Sequence, residues 1–278
     1  MDNLILKPGN QARVRWFSGD KSVTDTALMY LHGFTASPGE AGMLPEQMAN
    51  ALGANLYVHR WPGHGSEAPD AMRGLTLDIL LDSAMEALGK ARELGRSTII
   101  AGTSLGASLA LWLAATRPSH VAAVAAWSPG VRPAHPKMLE QLCVLQNPVV
   151  DPRPRSSEVQ AYWSETVHPD GYRALRDLFA MFANDPPWQS VVCPVFLGYF
   201  RSPSGEEDQT ASVPAMLDMF HALGTPVHLK EAKPFATGAH GIGSPAKSPL
   251  ANLVASTTID FLQRAVPALD LRKSGITQ

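Results

Sequence analysis

A serine hydroxyl becomes a useful nucleophile only when the backbone holds it clear of the chain and a base stands within hydrogen-bond reach. The sequence offers such a serine in Gly102-Thr103-Ser104-Leu105-Gly106, a G-x-S-x-G pattern. Before it, residues 98–100 are a short β-branched run; after it, Leu and Ala recur at helical spacing to Ala115. That context predicts a buried strand turning sharply into a helix, with Ser104 on the corner. Glycines two positions to either side remove the side chains that would collide there. Ser104 would project from the helix N-terminus, where the Leu105 amide and the positive helix end face any negative charge developing beside it. The chemistry this suits is acyl transfer.

Such a serine needs a base, and the base needs an orienting acid. His240 lies in T-G-A-H-G-I-G, flanked by small residues after the last predicted strand, and is free to swing over the sheet edge. Between the two in the chain, Glu206, Glu207 and Asp208 sit together on one loop. Asp208 is the expected acid, because it lies nearest the helix that starts near Val213 and its short side chain suits an imidazole at a strand end. Glu206 and Glu207 lie nearer the tip of a loop rich in serine and glycine and are expected to be solvated. A second amide for a developing oxyanion comes from His32-Gly33-Phe34, where a short apolar run stops and the chain turns on Ser37, Pro38 and Gly39. Phe34 N–H is expected to stand beside Leu105 N–H. His64, in W-P-G-H-G, is the other histidine in a candidate position. It precedes Ser104 and is wedged between two glycines, which fits a hydrogen-bonded loop residue better than a base.

The elements that would position these groups alternate. Strands are expected at 12–17, 27–31, 55–59, 98–100, 121–127, 195–200 and 226–231, with helices at 40–52, 75–94, after Ser104, and at 213–223 and 251–262. Strand and helix in turn predict an α/β protein with a doubly wound, mostly parallel sheet and ligands at the carboxyl ends of its strands. The alternation stops between 131 and 190, a proline-rich stretch with helical pieces at 138–145 and 172–182. We read it as a cap inserted into a core of residues 1–130 and 191–278. The polar tail to Gln278 is expected to fray.

Composition narrows the partners. With 278 residues, 45% of them apolar, the chain can bury a full core, and a net charge of −2 leaves no basic stripe for nucleic acid or anionic lipid. Cys143 and Cys193 are too few for a disulfide framework or a zinc site of their own, and no segment reads as a leader or a membrane span. A cytoplasmic protein acting on small molecules is expected, with no metal or cofactor required and the oligomeric state open.

The order serine, acid, histidine, each on a loop after a successive strand, resembles the α/β-hydrolase superfamily from the H-G-F loop to the last helix. L-H-G-F-T, W-P-G-H-G and G-T-S-L-G together are most similar to the capped carboxylesterase and monoacylglycerol-lipase group. The resemblance implies a serine esterase of the lipase type, with a catalytic triad, cleaving esters of small or medium acyl chains through an acyl-enzyme. Thioester hydrolysis, carbon–carbon bond hydrolysis and ligand binding without catalysis occur on the same fold and stay open as alternatives. Trp127, Trp163, Phe179 and Phe182 are candidate walls of an acyl pocket, each weighed against an ordinary core role. Three adjacent carboxylates in place of one obvious aspartate, and a short proline-rich cap, depart from the group's pattern.

Overall fold

A computed structural model describes residues 4–236 and 239–266; residues 267–278 of the expected frayed tail, and Thr237 and Gly238 of the histidine loop, lie outside the described residues, while residues 263–265 extend the last helix. In chain order the elements are β1 (Arg13–Arg15), β2 (Thr24–Leu31), α1 (Leu44–Leu52), β3 (Asn55–Val58), α2 (Leu77–Leu94), β4 (Gly95–Thr103), α3 (Leu105–Thr116), β5 (Val121–Trp127), α4 (Pro136–Cys143), β6 (Val149–Val150), α5 (Ser157–Tyr162), β7 (Thr166–Val167), α6 (Pro169–Asn184), β8 (Val195–Phe200), α7 (Val213–Ala222), β9 (Lys230–Phe235) and α8 (Ala251–Ala265). Seven strands form one sheet in the order β1-β3-β2-β4-β5-β8-β9. All pair in parallel except the edge strand β1, which runs antiparallel to β3.

Both faces of this sheet are covered, which is why its central strands are apolar runs rather than alternating ones. Ala27, Met29 and Leu31 of β2 pack on one side with α2, α3, α6 and α7. Leu28 and Tyr30 face the other, with α1 and α8. Helix α3 is buried nearly all round, as a helix of Leu and Ala with no polar face must be. The strand register aligns the carboxyl ends: Leu31 pairs with Gly102, Thr103 with Trp127, and Trp127 with Gly198. The loops that begin at His32, Ser104 and Ser128 therefore leave the sheet side by side.

Two expectations about elements need correction. The last strand begins at Lys230 rather than at Pro226, because Val227–Leu229 form a 3₁₀ turn behind a proline that cannot donate to a ladder. The stretch between β5 and β8 is also more structured than its prolines suggested. Besides α4 and α6 it holds α5, capped by the Ser156 hydroxyl on Val159 N–H, and the antiparallel pair β6·β7. Its α6 buries Leu178 and Phe182 in the same core as α2 and α3. At its other end, Asn10 Nδ2 donates to Ala161 O at 3.0 Å, and Lys7 Nζ donates to Trp163 O at 2.9 Å and to Gln160 O.

Candidate active site

Ser104 sits at φ 53°, ψ −116°, immediately before α3. A non-glycine residue in that region costs on the order of 1–3 kcal/mol and persists only when its surroundings hold it. Here Ser104 N–H donates to Trp127 O at 2.9 Å, and Ser104 O accepts from Ser108 N–H at 3.0 Å and Gly130 N–H at 3.2 Å. The flanking glycines let the backbones approach: a Cβ on Gly106 would lie 2.0 Å from Leu31 O, and one on Gly102 would lie 2.7 Å from the Gly106 carbonyl carbon. Strand β2, the end of β4 and the start of α3 thus touch through bare backbone, and the motif's spacing follows from that contact.

His240 Nδ1 stands 2.6 Å from Asp208 Oδ2. The other carboxylate oxygen accepts from Thr210 N–H at 2.7 Å and Ala211 N–H at 3.2 Å, and the aspartate is buried. Burial pushes the Asp208 carboxyl up, but the charge and hydrogen bond of His240, with the two amides, outweigh it and hold the group below its ordinary value. It is ionised at neutral pH. The neighbouring acids go elsewhere: Glu207 pairs with Arg201 at 2.6 Å and Glu206 is exposed. The histidine loop is anchored by Ile242, fully buried and packed toward Gly198, and by Gly243, where a Cβ would lie 2.3 Å from the Trp127 ring. Trp127 is also the residue whose carbonyl holds Ser104. His240 Nε2 is buried and has no hydrogen-bond partner among the described residues, Ser104 Oγ included.

The H-G-F turn is built around His32, whose role no local sequence pattern signals. His32 is fully buried; its Nδ1 lies 2.9 Å from Gly33 O and its Nε2 accepts from Trp61 N–H at 3.2 Å, which assigns the ring proton to Nδ1. Burial pushes His32 well down, so it stays neutral. Because N–H and C=O point opposite ways across a trans peptide, pinning the Gly33 carbonyl also aims Phe34 N–H. A Cβ on Gly33 would lie 3.4 Å from the Ser104 Cβ, which places this turn beside the serine. His64 is a fully buried loop residue: its Nδ1 bonds Pro62 O at 2.9 Å, burial pushes it down to about 4, and its ring meets Phe34 at 5.8 Å.

Residues 28–255 match the sequence profile of the alpha/beta hydrolase family. The chain belongs to that family. Among solved structures, it is similar to a metagenome-derived lipolytic enzyme (TM-score 0.78, 18% identity, 94% of this chain and 100% of that one). It is also similar to a monoacylglycerol lipase of Paleococcus ferrophilus (TM-score 0.69, 16% identity, 92% and 98%). A third is Est1E of Butyrivibrio proteoclasticus with ferulic acid bound (TM-score 0.64, 15% identity, 92% and 95%). No curated protein matches.

In this alpha/beta hydrolase the four candidate pocket aromatics divide. Trp127 is fully buried, its Nε1–H donating to Thr258 Oγ1 at 3.1 Å, and Phe182 packs on Trp188 with ring centroids 4.8 Å apart. Both are core side chains, the role weighed for them against a pocket wall. Phe179 is half-buried and its ring covers Gly130, whose amide bonds Ser104 O. Trp163 is buried with the Lys247 ammonium 4.1 Å above its ring. Among the described residues no three metal-ligating side chains gather, and no helix is long and apolar enough to cross a membrane.

Proposed function

We propose that this alpha/beta hydrolase is a serine esterase that cleaves carboxylic esters of small or medium acyl chains through an acyl-enzyme. The observation that carries the proposal is the bond from half-buried His240 to buried Asp208, with the unpartnered His240 Nε2 on a loop packed on the residue that holds Ser104. Ser104 Oγ attacks the ester carbonyl carbon while His240 Nε2 takes its proton. Asp208, ionised and fixed by two amides, orients the ring and stabilises the imidazolium that forms. The carbonyl oxygen, now negative, is met by Phe34 N–H and Leu105 N–H. His240 returns the proton to the departing alcohol. It then takes one from the water that attacks the acyl-enzyme and returns it to Ser104 Oγ as the acid product leaves. Nε2 must close on Ser104 Oγ for this, and such bonds are commonly long until substrate is bound.

Residues 131–190 are the proposed cap, with Phe179 and Trp163 as walls of the acyl site. The lipolytic and monoacylglycerol-lipase structures named above support an ester as the bond cleaved. The test is a panel of p-nitrophenyl esters of increasing chain length beside acyl thioesters, with fluorophosphonate labelling mapped by mass spectrometry. Hydrolysis of the shorter esters and an adduct on Ser104 are expected. Turnover of thioesters alone would reassign the substrate, and an adduct at another residue would remove Ser104 from the mechanism.

A further inference from the structure

Glu40 is a buried carboxylate with no part in the steps above. It lies in the turn between the H-G-F strand end and α1 and is 4% exposed. Its Oε1 accepts from Gly33 N–H at 2.8 Å and from Tyr30 O–H at 3.0 Å. The Tyr30 hydroxyl lies 3.0 Å from Thr103 Oγ1, and Thr103 immediately precedes Ser104. With tyrosine donating to the carboxylate, the threonine hydroxyl is left to donate to Tyr30. One side chain therefore links the His32–Gly33 peptide, next to the one that carries Phe34 N–H, to the strand end that carries the serine. Glu40 Oε2 and Ser104 Cβ each lie 3.4 Å from where a Gly33 Cβ would be.

Resting on the esterase reading, we propose that Glu40 is a positioning residue for the reaction: its carboxylate ties the Gly33 turn to the Thr103–Ser104 corner and fixes the aim of the Phe34 amide. A surface glutamate in a helix-leading turn needs no such partners, and burying a carboxyl costs several kcal/mol unless it is hydrogen-bonded. The groups facing Glu40 are Tyr30 from β2 and, electrostatically, Lys247 and His240 from the histidine loop. Burial pushes its pKa up to about 7, against the pull of Gly33 N–H, Tyr30 O–H and the Lys247 ammonium. Glu40 thus changes charge where such an enzyme is assayed. The carboxylate draws both donors more strongly than the neutral acid does. It also favours the His240 imidazolium that forms as Ser104 gives up its proton.

The experiment compares wild type with Glu40→Gln, Glu40→Ala and Tyr30→Phe, using a short p-nitrophenyl ester from pH 6 to 9 and confirming each fold by thermal melting. Misplacing one oxyanion donor costs up to about a hundredfold. Glu40→Ala should therefore lose about that factor in kcat, and Glu40→Gln and Tyr30→Phe about tenfold, with KM within about threefold in all three. The glutamine variant mimics the neutral acid. The ratio of wild-type to Glu40→Gln kcat should therefore rise as pH passes through about 7, then level off. A flat or falling ratio, or folded Glu40→Gln and Tyr30→Phe variants with wild-type kcat, would overturn the assignment while leaving the esterase reading intact. A wild type that hydrolyses no ester and takes no label at Ser104 would overturn both.

Discussion

Asp208, Glu206 and Glu207 are three consecutive carboxylates with three different fates, and the difference comes from where each falls on the loop. Glu207 is turned outward to Arg201, Glu206 faces solvent, and Asp208 re-enters the protein against two backbone amides and His240. Replacing Asp208 by asparagine should lower turnover by about 10⁴ through a misoriented imidazole, with the fold intact by circular dichroism. Glu206→Gln and Glu207→Gln should stay within about tenfold of the parent. Loss of activity in either glutamine variant, with Asp208→Asn active, would move the acid. The choice of Asp208 was open to a reader of the sequence because chain distance from α7 and side-chain length both bear on it. Glu40 was not. A glutamate just after Ser-Pro-Gly reads as an ordinary charge in the first turn of a helix expected at 40–52, and only the fold, in which that helix starts at Leu44, reveals that Tyr30 and Gly33 turn toward it. His32 was hidden in the same way: its role depends on Trp61, brought to it by the pairing of β2 with β3.

At the scale of elements, the central strands were legible because they are buried on both faces and so appear as unbroken apolar runs; β5 and β8 have the bounds expected of them. The start of β9 was not, since Pro226 and the half-exposed residues after it carry no alternating signal. The proline-rich stretch concealed α5 and the β6·β7 pair because elements of six and two residues are too short to show a period. If that stretch is the cap that selects acyl chains, exchanging residues 131–168 for a flexible linker, while keeping α6 and its buried Leu178 and Phe182, should shift chain-length preference. Fluorophosphonate should still label Ser104. An unchanged profile across the ester panel would reduce the stretch to scaffold.

The whole molecule carries an acid sensitivity in its neutral histidines. His32, His59 and His64 are all buried and depressed by burial, His59 to about 3 and His64 to about 4. Each folded-state value lies below the ordinary 6.5, so the unfolded chain binds protons first. The stability these groups contribute is complete above about 6.5 and is lost as pH falls toward 4. Glu40, raised to about 7, has the opposite sign: its contribution is complete below 4.5 and is lost as pH rises through 7. Subtraction separates them. Urea unfolding of His64→Asn and wild type at pH 7 and pH 5 should show the wild type losing about 2 kcal/mol more over that interval. Equal losses would mean that His64 takes up a proton as readily in the folded protein as in the unfolded chain.

The bonds from Lys7 and Asn10 to the carbonyls of residues 160–163 span separations of 151 to 156 positions. During synthesis, residues 7–10 emerge long before their partners exist. At 5–20 residues per second they must wait roughly 8–30 s for α5 to follow. The rest of the β1–β5 half can collapse in that interval, since its strands pair within the first 127 residues. The clasp that these bonds make between the chain's first residues and the β5–β8 stretch is thus a late addition to a sheet already begun. A lysine ammonium that ends up buried against backbone carbonyls spends the waiting time in water, where a protease can reach its peptide bond.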